Sequence, residues 1–135
     1  MRYTASVPHS VTGLSTLPLL VAAQLLGTSQ PGAAADATAG QAFFGSHCAA
    51  CHSNSPGLNR IGPSLAGVVG RKSGTVAGFN YSVSLKNAGV TWDDGSLDKF
   101  LQNPNGFVHG TKMFISVPNP ADRQNIIAYL GTLKP

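Results

Sequence analysis

Cys48-Ala49-Ala50-Cys51-His52 constrains this chain more than any other five residues in it. C-x-x-C-H is the attachment signature of a c-type haem. Two thiols three positions apart project from one side of a helical turn. There each can add to a vinyl group of one porphyrin as a thioether. The histidine that follows stands against the iron, with an imidazole nitrogen as axial ligand. Other uses of C-x-x-C fit worse. A structural zinc ion takes four ligands in a tetrahedron, and the chain has two cysteines in all. His47 and His52 flank them, but four near-contiguous residues close that geometry poorly. A thioredoxin-like dithiol calls for a strand-helix context, and none is visible here.

The 135 residues suit a single domain, and the first part of the chain reads as something else. Arg2 precedes an apolar stretch from Leu14 to Leu26, and Ala33-Ala34-Ala35 follows. A weakly positive start, a short apolar segment and an A-x-A-like site make a secretory signal over residues 1–35. A cut after Ala35 leaves Asp36 first, and Ala37-Thr38-Ala39 offers a second site. Pro18 and Gln24 interrupt the apolar run, which is short for a transmembrane helix. An uncleaved N-terminal anchor is the alternative. The domain is then 36–135, and about 100 residues bury only a modest core, which a haem plane would enlarge.

That domain carries eight Lys and Arg against five Asp, a net +3 with no Glu. A mild positive charge can steer docking onto an acidic partner. It is too weak and scattered to argue for nucleic acid.

No strand-like alternation and no internal repeat appear, so the class is all-α. Phe44, Cys48 and Cys51 fall at i, i+4 and i+7, a helical stripe. The spacing predicts a helix from Thr38 into the haem motif, with Asp36 or Thr38 as its cap. Residues 53–80 are broken by Gly and Pro and read as loop, with at most one short helix around 63–69. A stretch so irregular is unusual in a small domain, and wrapping around a cofactor explains it. Short helices are expected over 80–88, ended by Gly89, and 96–102, begun by Asp94 or Ser96. Residues 103–118 read as a second loop. Asn119 then caps a last helix with Pro120 at its first position. Ile126, Ile127, Leu130 and Leu133 form its apolar face.

Beyond the initiator, the chain has one methionine, Met113, in the loop Gly110-Thr111-Lys112-Met113. A thioether is a soft ligand that raises a haem's potential. A lone methionine is otherwise core filler.

With these segments in view, the chain resembles the small soluble class I cytochromes c of mitochondrial and bacterial short-chain type. The resemblance rests on the haem motif, Gly62-Pro63-Ser64-Leu65, Gly70-Arg71-Lys72, Gly78-Phe79-Asn80-Tyr81, Thr91-Trp92, Gly110-Thr111-Lys112-Met113 and Ile126-Ile127-Ala128-Tyr129-Leu130. It covers roughly residues 40–134 and implies a cytochrome c fold: four or five helices with long loops around one covalent haem c. By that resemblance Cys48 and Cys51 are the thioether anchors, and His52 and Met113 ligate the iron. Pro63 gives its carbonyl to the free N–H of His52. Tyr81, Trp92, Arg71 and Thr111 serve the propionates, whose burial needs partners. Gly40 and Phe44 meet Tyr129 where the first and last helices cross.

The implied function is that of a periplasmic one-electron carrier, monomeric and not an enzyme. Its donor would be a quinol-oxidising cytochrome bc complex or a dehydrogenase. Its acceptor would be a terminal oxidase, a peroxidase or a photosynthetic reaction centre. A membrane-tethered module is one alternative, and a haem peroxidase or gas-binding protein, with Met113 off the iron, is another. Several residues depart from the family pattern. His109 stands where proline is usual and could compete for the iron. Phe100 replaces a tyrosine that bonds the methionine sulfur, and Leu85 replaces a polar residue near an internal water. The lysine ring around the haem edge is sparse, and His47 reads as a solvated helix residue.

Overall fold

A computed structural model describes residues 34–135, together with Thr4. The expected signal segment lies outside the described residues except for Thr4, Ala34 and Ala35. Helix α1 spans Ala37–Phe43. Asp36 is its cap, its carboxylate accepting from the Thr38 N–H at 2.8 Å and the Ala39 N–H at 3.3 Å. The helix does run on into the haem motif, but its last stretch, Phe44–Cys48, opens to a π-helical turn. Such wider turns recur at functional sites, and this one ends on the first cysteine.

The loop after the motif contains no helix over 63–69, where the sequence allowed at most one. Gly67 adopts φ +63°, which a helical repeat does not allow, and the segment is two successive turns closed by Val68 N–H to Leu65 O and Arg71 N–H to Val68 O. Helix α2 is shorter than expected, Val83–Asn87, with Ser82 as its cap. Gly89 at φ +65° follows it. Helix α3, Asp94–Gln102, begins at the earlier of the two expected starts. Asp93 is the cap, and it forms a capping box with Ser96. The Ser96 N–H and then its hydroxyl hold the Asp93 carboxyl below its usual range.

The expected loop 103–118 hides one more helical turn, α4, Pro104–Phe107, capped by Asn103. Asn103 and Pro104 repeat the Asn-Pro start of the last helix, a local signal that the loop reading passed over. Helix α5, Pro120–Thr132, has the expected Asn119 cap and Pro120 start. Five α-helices and a lone antiparallel bridge, Lys72 to Thr91, make up the regular structure among the described residues. None of these helices is long and apolar enough to cross a membrane.

The core forms where α1 crosses α5. Ile126, Ile127, Tyr129 and Leu130 of α5 are buried with Phe44, Leu97, Phe100 and Leu101. Phe44 packs on Tyr129 with ring centroids 5.6 Å apart. The crossing is close because Gly40 has no side chain. A Cβ there would overlap the Asn125 carbonyl and come within 2.8 Å of Tyr129 Cβ. Backbone on backbone leaves nothing flexible to give way. Gly40→Ala is therefore expected to cost about 1–3 kcal/mol, the usual range for overpacking. Thermal unfolding of the haem-loaded protein checks this, and an unchanged melting temperature would contradict the crossing.

Candidate functional site

One cavity of about 350 Å³ opens beside the haem motif. The end of α1 and its π turn bring Phe43, His47 and Cys48 to it, and the next turn brings Cys51 and His52. Gly62 and Pro63 face it from the following loop, and Met113 faces it from the strap between α4 and α5. Leu85, Phe100, Leu101 and Val117 make the remaining wall apolar.

His52 is oriented from behind. Its Nδ1 lies 2.8 Å from the Pro63 carbonyl oxygen. A carbonyl only accepts, so Nδ1 carries the proton and Nε2 keeps its lone pair free. Burial pushes the imidazole below its ordinary pKa, partly offset by that bond. Gly62 leaves room for the ring, since a Cβ there would overlap it. The two thiols are half-buried and unbridged. Burial, and secondly the neighbouring Cys51, pushes the Cys48 thiol up to about 11. Cys48 therefore stays a neutral thiol near neutral pH.

Met113 sits in a strap fastened at both ends. Gly110 N–H donates to Asn105 Oδ1 at 2.9 Å, and Lys112 Nζ donates to the Asn80 carbonyl at 3.2 Å. Val117 N–H donates to the Leu101 carbonyl at 2.8 Å. Thr111 is buried, and its hydroxyl accepts from Met113 N–H at 3.4 Å. Beyond Val117, the Arg123 guanidinium holds the Val117 and Pro118 carbonyls at 3.0 and 2.8 Å and pairs with Asp98 at 2.7 Å. Sequence reasoning missed Arg123. A basic residue on the first turn of a helix, three, four and seven positions before Ile126, Ile127 and Leu130 and so on their apolar face, was the available signal, because arginine is seldom buried without partners.

Seven of the nine expected site residues share this cavity: Cys48, Cys51, His52, Pro63, Tyr81, Thr111 and Met113. Burial raises the Tyr81 phenol above its usual pKa, while the Val76 backbone and Arg71 pull it down. Arg71 and Trp92 are not among the lining side chains. Arg71 donates to the Ala66 and Ser64 carbonyls at 2.8 and 2.9 Å. Trp92 is buried against Phe100, with centroids 5.0 Å apart. Arg71 stands near Tyr81 and Trp92 stands behind the lining residue Phe100, so each acts from outside the cavity wall. His109 is exposed and also absent from the lining. His47 is exposed as expected, but its ring stacks on Phe43 at 4.1 Å, at the cavity's edge.

These residues fit a haem. Two thiols and an imidazole share one wall, a thioether faces the same space, and the rest of the surface is apolar. Gly62→Ala is expected to sharply lower the yield of haem-loaded protein by displacing His52. Supporting partners of ligating histidines are worth about 10–100-fold. Gly45→Ala, whose Cβ meets no atom within 4 Å, should leave that yield unchanged. Equal yields from the two variants would refute the role given to Gly62.

Known proteins give the same outline. The profile of the family described as Cytochrome c matches residues 37–134. A cytochrome c of Euglena viridis is 51% identical over 100 residues, covering 73% of this chain and 98% of the relative. A cytochrome c2 of Rhodomicrobium vannielii is 44% identical over 115 residues, covering 84% and 91%. The solved structure of cytochrome cH from Methylobacterium extorquens aligns with a TM-score of 0.67 at 43% identity, covering 72% of this chain and 98% of that one.

Proposed function

The chain belongs to the cytochrome c family, whose members bind covalent haem c and carry electrons rather than catalyse reactions, and we propose that it is a periplasmic one-electron carrier with His52 and Met113 as axial ligands. The observation that carries the proposal is that Cys48, Cys51, His52 and Met113 all line one apolar cavity. When bound, the haem supplies a one-electron couple between ferric and ferrous iron.

The chain's own residues do the rest. Cys48 and Cys51 anchor the porphyrin edge. The Pro63 carbonyl fixes the His52 tautomer, so that Nε2 is the ligating atom. The strap holds the Met113 thioether toward the cavity, and a soft donor there favours the reduced state. Leu85, Phe100, Leu101 and Val117 keep water from the ligand side. Two strong axial ligands leave no place for a substrate. Thr111 and Tyr81 offer hydroxyls to the propionates, and Arg71 supplies a nearby positive charge. Donor and acceptor are then redox proteins of a respiratory or photosynthetic chain: a cytochrome bc complex or dehydrogenase on one side, an oxidase, peroxidase or reaction centre on the other. Such encounters use small, short-lived interfaces, and the carrier works as a monomer.

Export follows from the same reading. Cleavage after Ala35 leaves Asp36 in place to cap α1 and to bond Asn125 through its main-chain nitrogen, 2.8 Å from Asn125 Oδ1. Cleavage after Ala39 would remove the first turn of α1. The mature protein is therefore expected to begin at Asp36. Its intact mass checks this, and a mass that retains residues 1–35 would favour the tethered form instead.

Absorption spectra test the ligation. Sharp c-type bands in the reduced protein and a weak sulfur-to-iron charge-transfer band in the oxidised protein are expected. Met113→Ala should abolish the weak band and let the reduced protein bind carbon monoxide rapidly. A wild-type spectrum without that band, or rapid carbon monoxide binding by the wild type, would sink the His/Met assignment and favour a gas-binding or peroxidase role.

A further inference from the structure

Three of the most exposed large apolar side chains lie around the cavity mouth: Ile61 at 79%, Phe114 at 83% and Ile115 at 60%. Phe114 and Ile61 are also the two most exposed large apolar side chains among the described residues. Clustered apolar exposure of this kind marks an interaction surface.

The charges near it are few and partly engaged. Arg60, next to Ile61, donates to the Ala49 carbonyl at 3.2 Å, and Lys112 to the Asn80 carbonyl. No carboxylate lines the cavity. The aspartates stand elsewhere, at the starts of α1 and α5 and on α3 or its cap. The face is therefore apolar, with two cations and no anion.

Resting on the carrier reading above, we propose that this face docks its redox partner chiefly by apolar contact. The partner it fits is a redox protein with an apolar, nearly neutral platform and one or two carboxylates opposite Arg60 and Lys112. A strongly acidic platform would find too few cations here to offset the desolvation of its own charges. Association should then depend little on salt, because charge pairs set on-rates and their salt response more than apolar contacts do.

Electron self-exchange between oxidised and reduced haem-loaded protein tests this, with a second copy as the probe. It brings two identical mouths together at zero driving force, so a change in potential does not move the rate. NMR line shapes give that rate from 10 mM to 500 mM salt. A change under about threefold is expected across this range of screening lengths. A larger change shows that charge governs the face and overturns the proposal. Ile61→Ser and Phe114→Ser should each slow exchange several-fold without adding salt dependence. Ile61→Lys should slow it more at low salt and recover as salt rises. Rates equal to wild type in these variants, with a reversible couple intact, overturn the apolar face alone. Wild-type protein with no reversible one-electron couple overturns the carrier reading beneath it.

Discussion

The hydrogen bond from His52 Nδ1 to the Pro63 carbonyl is the contact on which the site depends. It joins the haem motif to a loop with no regular structure. It decides which imidazole nitrogen is free, and it holds the ring at one angle to the cavity. The bond forms only because Gly62 lets the loop lie against the ring. The loop is then carried back to the motif by main-chain bonds, Gly62 N–H to Cys51 O and Leu65 N–H to Ser53 O. A glycine and a proline that read as loop punctuation in the sequence are thus part of the ligand's mounting.

The opposite wall is built on another principle. Met113 lies in a strap whose stability comes from its ends. Asn105 and Asn80 hold the near end, and Leu101 and Arg123 hold the far end. Arg123 is buried with three acceptors, so its charge is compensated where an unpaired one would be strongly destabilising. It links α3, α5 and the strap exit through one guanidinium. The α3–α5 packing is thereby coupled to the strap that carries Met113.

Legibility in the sequence followed the range of the interaction. The Asn119-Pro120 start of α5 and the Asp36 cap are local devices, and both were readable. The Gly40 approach was readable through the family resemblance, which placed it opposite Tyr129. What was not readable was of two kinds. The composition of 63–69 left room for at most one short helix, and main-chain bonding to Ser53 and Trp92 settled the segment into turns. Helix α4 was overlooked because four residues are too few to show a period, although Asn103 and Pro104 mark its start. Among site residues, those that touch the cavity were found by motif. Arg71 and Trp92 came with them, yet the fold uses both from outside the lining. Arg123 was missed because its partners, two carbonyls and Asp98, converge only in the folded chain.

The ligand side and the docking side share one tendency. Inside the cavity, Phe100 and Leu85 stand where the family resemblance implies a hydroxyl and a polar side chain, so the wall carries carbon at both places. At the mouth, Ile61 and Phe114 extend the same apolar character outward, while the aspartates sit on helices or their caps away from it. A dry ligand environment penalises the extra positive charge of oxidised iron, since burying charge in an apolar medium is costly. Under the proposed His52/Met113 ligation it would favour the reduced state, in the same direction as a soft sulfur donor. The potential and the docking face then rest on different residues. The two properties can therefore be altered independently, the first at Phe100 and Leu85 and the second at Ile61.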